Sequence, residues 1–251
     1  MRKILYSIFL LFILLPLDLQ ATIPDIKFRR LDTRDGLSNS QVNCVLRDSR
    51  GFMWFGTAYG LNRYDGYRVK SFFSNKRDTT SMRDNYTDGI MEAYDGKLWL
   101  KQSMNYCIYD PVTESFERNV GSVLSEYGIP SGIERLYIDS KKRFWVKCYD
   151  DGIYCYNPKT EKLSHIKAGY DLGQLNPSYG ISCFSSYGDR VVLSTYHGEL
   201  VMLDGDTGMV VWESKWIREH GGPHNQEYKL FIDRQENLWV TCLGNTYISC
   251  P

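Results

Sequence analysis

A Trp-centred motif recurring at a nearly fixed step constrains the fold of this sequence more than any other feature. Residues 45–54 read Val-Leu-Arg-Asp-Ser-Arg-Gly-Phe-Met-Trp. Residues 136–145 read Leu-Tyr-Ile-Asp-Ser-Lys-Lys-Arg-Phe-Trp, and residues 230–239 read Leu-Phe-Ile-Asp-Arg-Gln-Glu-Asn-Leu-Trp. Each has an apolar strand, then Asp48, Asp139 or Asp233 six places before Trp, a polar turn, and an apolar residue leading into Trp. Weaker copies end at Trp99 and Val192. The anchors Trp54, Trp99, Trp145, Val192 and Trp239 stand 45, 46, 47 and 47 residues apart. Self-similarity at this period marks a chain of stacked supersecondary units.

Within a unit, alternation and turn residues define four short strands. In the first unit these are 41–47, 52–57, 61–64 and 68–73. Asp48 and Gly51 shape the first turn, since Asp accepts local backbone hydrogen bonds and Gly takes a positive φ. Gly60, Gly152 and Gly198 enter third strands, while Asp110-Pro111 and Asn157-Pro158 leave them. Four short strands per ~46 residues predict an all-β chain, a β-propeller of about five four-stranded blades. The last unit stops after its third strand. An apolar-basic strand at 28–31 is expected to supply the missing outer strand and close the ring, hiding open edges. Part of a larger propeller is the alternative.

The first twenty residues stand apart. Arg2 and Lys3 precede an apolar run from Ile4 to Leu17, and Ala21 follows, so residues 1–21 read as a secretory signal peptide. The run is shorter than the ~20 apolar residues of a membrane span. The propeller domain is then 22–251, in an exported, soluble chain. With 30 basic and 30 acidic residues and no long run of one sign, the chain lacks an electrostatic footprint for nucleic acid.

Export makes the seven cysteines worth reading. Cys44, Cys107, Cys183 and Cys242 sit among apolar residues, where Cys packs as a small hydrophobe. Cys148 and Cys155 fall on two arms of one hairpin, and Cys242 and Cys250 occupy nearly the same places two units later, so a disulfide stays open in either. No CxxC pair is present, so no zinc or other metal site is expected. His220 and His224 share a Gly-Gly-Pro stretch that forbids a regular helix, and read as loop residues.

Three segments together resemble the two-component regulator propeller repeat: Asp35-Gly-Leu-Ser-Asn-Ser-Gln-Val42, Arg47-Asp-Ser-Arg-Gly-Phe-Met-Trp-Phe-Gly-Thr57 and Gly60-Leu-Asn-Arg-Tyr-Asp-Gly66. The resemblance runs over residues 25–251, strongest in the first unit and weakest in the fourth. It implies the periplasmic sensor region of a hybrid two-component receptor from glycan-using bacteria. In that family two seven-bladed propellers precede an immunoglobulin-like domain, a membrane helix and a histidine kinase. The implied ligand is an oligosaccharide or another small periplasmic molecule. This sequence carries no kinase or receiver motif and no membrane helix after the propeller. It reads as the amino-terminal part of such a receptor, not an enzyme, reaching the membrane only through a downstream segment.

No catalytic constellation or cofactor motif stands out, and a GxSxG nucleophile elbow is missing. The Asp-x-x-Gly-x-x-Trp pattern resembles an Asp-box turn. Its favoured reading is structural, with Asp48, Asp139 and Asp233 holding turns and the Trp residues filling the space between blades. Binding is the better-supported role. The long loops joining one unit to the next carry Arg83, Asn85, Tyr86, Tyr127, Tyr179, Trp216 and His224. Aromatic faces stack on sugar C–H surfaces while amides and guanidinium groups satisfy hydroxyls. A protein-interaction or self-association platform is the second reading, and a propeller lyase or glycosidase a distant third.

Overall fold

The computed structural model describes residues 28, 30–149, 151–167, 180–220, 225–242 and 245–249. The first sheet is β1 (Val42–Arg47), β2 (Met53–Thr57), β3 (Gly60–Tyr64) and β4 (Val69–Phe72). The second is β5 (Gly89–Glu92), β6 (Leu98–Gln102), β7 (Asn105–Asp110) and β8 (Ser115–Glu117). The third is β9 (Ile133–Ile138), β10 (Phe144–Cys148), β11 (Gly152–Asn157) and β12 (Lys162–Ile166). The fourth is β13 (Ile181–Tyr187), β14 (Arg190–Thr195), β15 (Leu200–Asp204) and β16 (Val210–Ser214). Last come β17 (Lys229–Ile232), β18 (Leu238–Cys242) and β19 (Asn245–Ser249). Every sheet is an antiparallel meander in chain order. The five anchors all fall on second strands. Contacts between β1 and β5, β5 and β9, and β13 and β17 put the first strands innermost. This is an all-β propeller with four-stranded blades.

The described residues complete four such blades, not the five expected, because the last sheet has three strands. The segment meant to supply its fourth is not a strand at Phe28, Arg30 or Leu31. Its local chemistry favours a turn. Asp32 accepts from the Arg34 amide and Asp35 from the Asp32 amide, a reciprocal cap on the 3-10 turn Thr33–Asp35. Beyond it, Ser38 donates its amide to Asn62 Oδ1 at 2.9 Å, and Ser71 Oγ donates to the Gly36 carbonyl at 3.2 Å. The Asp35–Ser38 segment is therefore tied to the first blade.

The turn between first and second strands is built alike in the first, third and fifth units. Asp48 Oδ1 accepts the amides of Arg50 and Phe52 at 3.0 and 2.9 Å, and its Oδ2 accepts the Trp54 indole N–H at 2.8 Å. Asp139 does the same for Lys141, Arg143 and Trp145, and Asp233 for Gln235, Asn237 and Trp239. Three residues after each Asp the chain turns left-handed, at Gly51 (φ +93°), Lys142 (+66°) and Glu236 (+64°). Gly is thus the low-strain choice there, and the turn's hydrogen bonds hold the other two in place.

Sheets pack face to face through four apolar clusters. Trp54, Leu61 and Phe72 of the first blade meet Leu98, Leu100 and Tyr109 of the second. Trp99 and Ile108 meet Phe144 and Val146, and Trp145 and Ile153 meet Phe184 and Val191. Val192 and Leu200 meet Leu238 and Val240 of the last sheet. Fully burying a side chain such as Leu100 or Phe144 contributes roughly 1.5–3 kcal/mol, so the blade interfaces hold the array together.

The geometry removes the Cys148–Cys155 disulfide. Cys148 pairs with Gly152 and Cys155 with Trp145 across β10 and β11, an odd offset that sends the two thiols to opposite faces. Cys148 Sγ lies 3.7 Å from the Pro130 carbonyl, while Cys155 Sγ lies 3.8 Å from that of Gly205. Both thiols are free, and burial raises them to about 11 and about 12. Cys242 is also free, and Cys250 lies outside the described residues.

Candidate functional site

First strands begin, and second strands end, at the same end of each blade, so residues distant in sequence converge there. A cavity of about 490 Å³ opens at this inner-strand mouth. Asp88, Lys101 and Tyr106 belong to the second blade, Glu134, Arg135 and Tyr149 to the third. Ile181 and Tyr196 come from the fourth, and Glu227 precedes β17. Three sheets and the segment before β17 contribute to one cavity, and its size falls within the ~300–1,000 Å³ of small-molecule sites.

Its polar groups are arranged in pairs. Asp88 Oδ2 is ion-paired with Lys101, and Glu134 lies 3.3 Å from the Lys147 ammonium. Arg135 donates to the Tyr196 hydroxyl at 2.9 Å, which fixes that ring. The Tyr106 hydroxyl accepts the Leu136 amide at 2.8 Å, and burial raises it to about 12, so it stays protonated. Tyr149 is 55% exposed and stands on the β10–β11 turn. The other oxygen of Asp88, Oδ1, is buried with no hydrogen-bond partner. A buried carboxylate oxygen without a donor costs free energy. Among the described residues, no three His, Cys, Asp or Glu gather to hold a metal ion.

Of the loop residues singled out from the sequence, the five that are described, Arg83, Asn85, Tyr86, Tyr127 and Trp216, do not line this mouth. Asn85 holds its own loop, its Oδ1 accepting the Ser74 amide at 2.7 Å. Arg83 donates to the Arg118 carbonyl at 3.4 Å and is otherwise exposed, as is Tyr86. Tyr127 ends the helix Val120–Glu126, stacks on Tyr156 at 4.5 Å and faces a separate cleft between the second and third blades. Trp216 is exposed and stacks on His220. Tyr179 and His224 lie outside the described residues. The mouth tyrosines Tyr149 and Tyr196 escaped the sequence reading. Their signal is positional, because each stands four residues after an anchor, on the turn leaving the second strand.

Comparison with known proteins bears on the turn and anchor residues. Residues 36–59 match the two component regulator propeller family, and they span the capped Gly36 turn, Asp48, Gly51 and Trp54. The chain carries a two component regulator propeller repeat. Over 82 residues it is 37% identical to Histidine kinase P4 of Formosa agariphila, an alignment that covers 33% of this chain and 6% of that protein. The propeller is also similar to the extracellular domain of a hybrid two-component system from B. thetaiotaomicron. There the TM-score is 0.62 and the identity 19%, with 88% of this chain and 30% of that one covered. A β-propeller domain, Swd1 from Myceliophteria thermophila, superposes with a TM-score of 0.53 at 11% identity, covering 82% of this chain and 64% of that one. These superpositions support the propeller fold. No helix among the described residues is long and apolar enough to cross a membrane.

Proposed function

We propose that this chain is the ligand-binding part of an exported sensor and takes an oligosaccharide at the inner-strand mouth. The carrying observation is the cavity of about 490 Å³ that gathers Asp88 and Lys101, Arg135 and Tyr149, and Tyr196 from three successive blades, with Glu227 from the segment before β17. An uncharged polyhydroxyl ligand would hydrogen-bond the cavity's charged side chains, and Tyr149, 55% exposed, offers ring surface to its C–H face. The named relatives, a histidine kinase and the extracellular domain of a hybrid two-component system, support a sensing role. A ligand touching several blades at once would change how they sit together, which a sensor can report. The pairing of two of the mouth's three carboxylates, Asp88 with Lys101 and Glu134 with Lys147, supports binding over catalysis. Titration calorimetry with a panel of neutral tri- to hexasaccharides tests this. At least one should bind, and Tyr149→Ala should weaken it by about tenfold, the scale of one stacking contact. A panel that gives no heat, or a Tyr149→Ala chain that binds unchanged, would overturn the reading.

A further inference from the structure

The second blade breaks the rule of its neighbours. Where the first, third and fifth units place Asp48, Asp139 and Asp233 against the anchor indole, the second has Ala93, six residues before Trp99. Trp99 is only 2% exposed, and with Ala93 in place of Asp its indole N–H has no turn carboxylate to bond. In the sister turns that N–H lies 2.8–2.9 Å from a carboxylate oxygen. The side chain four residues past the Asp is a donor in two of them: Arg143 Nε reaches Asp139 at 2.7 Å and Asn237 Nδ2 reaches Asp233 at 2.9 Å. Lys97 holds that place in the second blade, so this turn keeps both side-chain donors and lacks their acceptor.

A cleft of about 710 Å³ opens on this turn, between the second and third blades, and Lys97 and Trp99 both line it. Its apolar wall includes Ile108, Phe116 and Val123. Its acidic groups decide the ligand's charge. Lys97 lies 3.7 Å from Asp95 and 3.8 Å from Asp110, both of which also line the cleft, so its charge is balanced while its donors are not held at hydrogen-bond distance. Glu117 adds a third carboxylate, and Arg118 is occupied by carbonyls of the loop 75–82. An anion would meet uncompensated like charge there.

We propose that this cleft is a second binding site, for a neutral sugar ring. A ring hydroxyl would accept from the Trp99 indole and from Lys97, neighbouring hydroxyls would donate to Asp95 and Asp110, and the ring's C–H face would lie on the apolar wall. The site is independent of the mouth, because none of its lining residues is shared.

Two variants test it. Ala93→Asp restores internally the acceptor that the sister blades have, and Trp99→Phe keeps the ring while deleting the donor. The readout is the set of indole N–H signals in ¹⁵N-labelled chain, titrated with glucose, galactose, N-acetylglucosamine and maltose, and with glucuronate as the anionic comparison. At least one neutral sugar should shift the Trp99 signal. Ala93→Asp should abolish that shift and slow the exchange of this N–H with solvent. Trp99→Phe should weaken binding by up to about tenfold, the scale of one hydrogen bond. A Trp99 signal that moves with no neutral sugar, that moves with glucuronate alone, or that moves equally in Ala93→Asp overturns the proposal. Sugars that act on Tyr149 but not Trp99 would leave the mouth reading standing and remove this one.

Discussion

The Asp–indole pair is the smallest unit whose behaviour differs between blades. The Asp48 carboxylate is buried with Trp54, which is 0% exposed, so Asp48→Ala strands a buried indole N–H and removes the acceptor of two turn amides. The expected loss is about 2–3 kcal/mol. Asp233→Ala should cost less, because Trp239 is only partly buried and its N–H can turn to solvent. Urea unfolding of both variants checks the order, and equal costs would show that the turns, not the indole bonds, carry the effect. The same pairs set the acid limb of stability. The Trp239 and Asn237 side chains and the turn amides hold Asp233 down at about 2, below the ~3.9 of a free Asp. For Asp48, burial pushes upward but the Trp54, Phe52 and Arg50 donors outweigh it and the net shift is downward. A folded value below the unfolded one gives stability that is present above about pH 4 and lost as pH falls towards 2. Asp233→Asn should therefore flatten the decline between pH 4 and 2. An unchanged acid limb would remove Asp233 from the account.

At the scale of strands and turns, most of the fold was legible because the repeat fixes register. The four strands read in the first unit differ from β1 to β4 by at most one residue at any end, since the turn residues bounding them have local causes. Asp48 accepting two amides and Gly51 turning left-handed are set by a handful of neighbours. What was not legible needed strand register or a partner outside the unit. The expected strand at 28–31 rested on its apolar and basic residues and on the missing fourth strand, whereas the Asp32–Asp35 cap directs the following chain to the first blade. Cys148 and Cys155 shared a hairpin, and only the register shows that they face different blades. The mouth failed for the same reason. Asp88, Tyr149 and Tyr196 come from three blades, and no spacing within one repeat signals that they meet. The missing Asp at Ala93 was visible in the alignment of repeats, yet its consequence needed the cleft.

At the scale of the whole molecule, the consistent facing of the blades leaves one sheet face with no neighbour among the described residues. Each anchor side chain looks towards the following blade: Trp54 onto the second, Trp99 onto the third, Trp145 onto the fourth and Val192 onto the last sheet. Trp239 has the same orientation by register, but no described sheet follows it. Its cross-strand neighbour Phe231 is 63% exposed, whereas Trp54 and Trp145 are fully buried. Paired aromatics on an open sheet face favour association, because contact removes apolar area from water without disturbing any packed core. The chain of 251 residues should therefore self-associate as its concentration rises, and Phe231→Glu should suppress this by placing a charge on the contact face. The melting temperature of the dilute protein should not move, since Phe231 gives up little packing. Sedimentation velocity over a range of concentrations reads the first effect and differential scanning fluorimetry the second. Association unchanged in Phe231→Glu would assign the contact to another surface, such as the one around Val45, which is 54% exposed on β1.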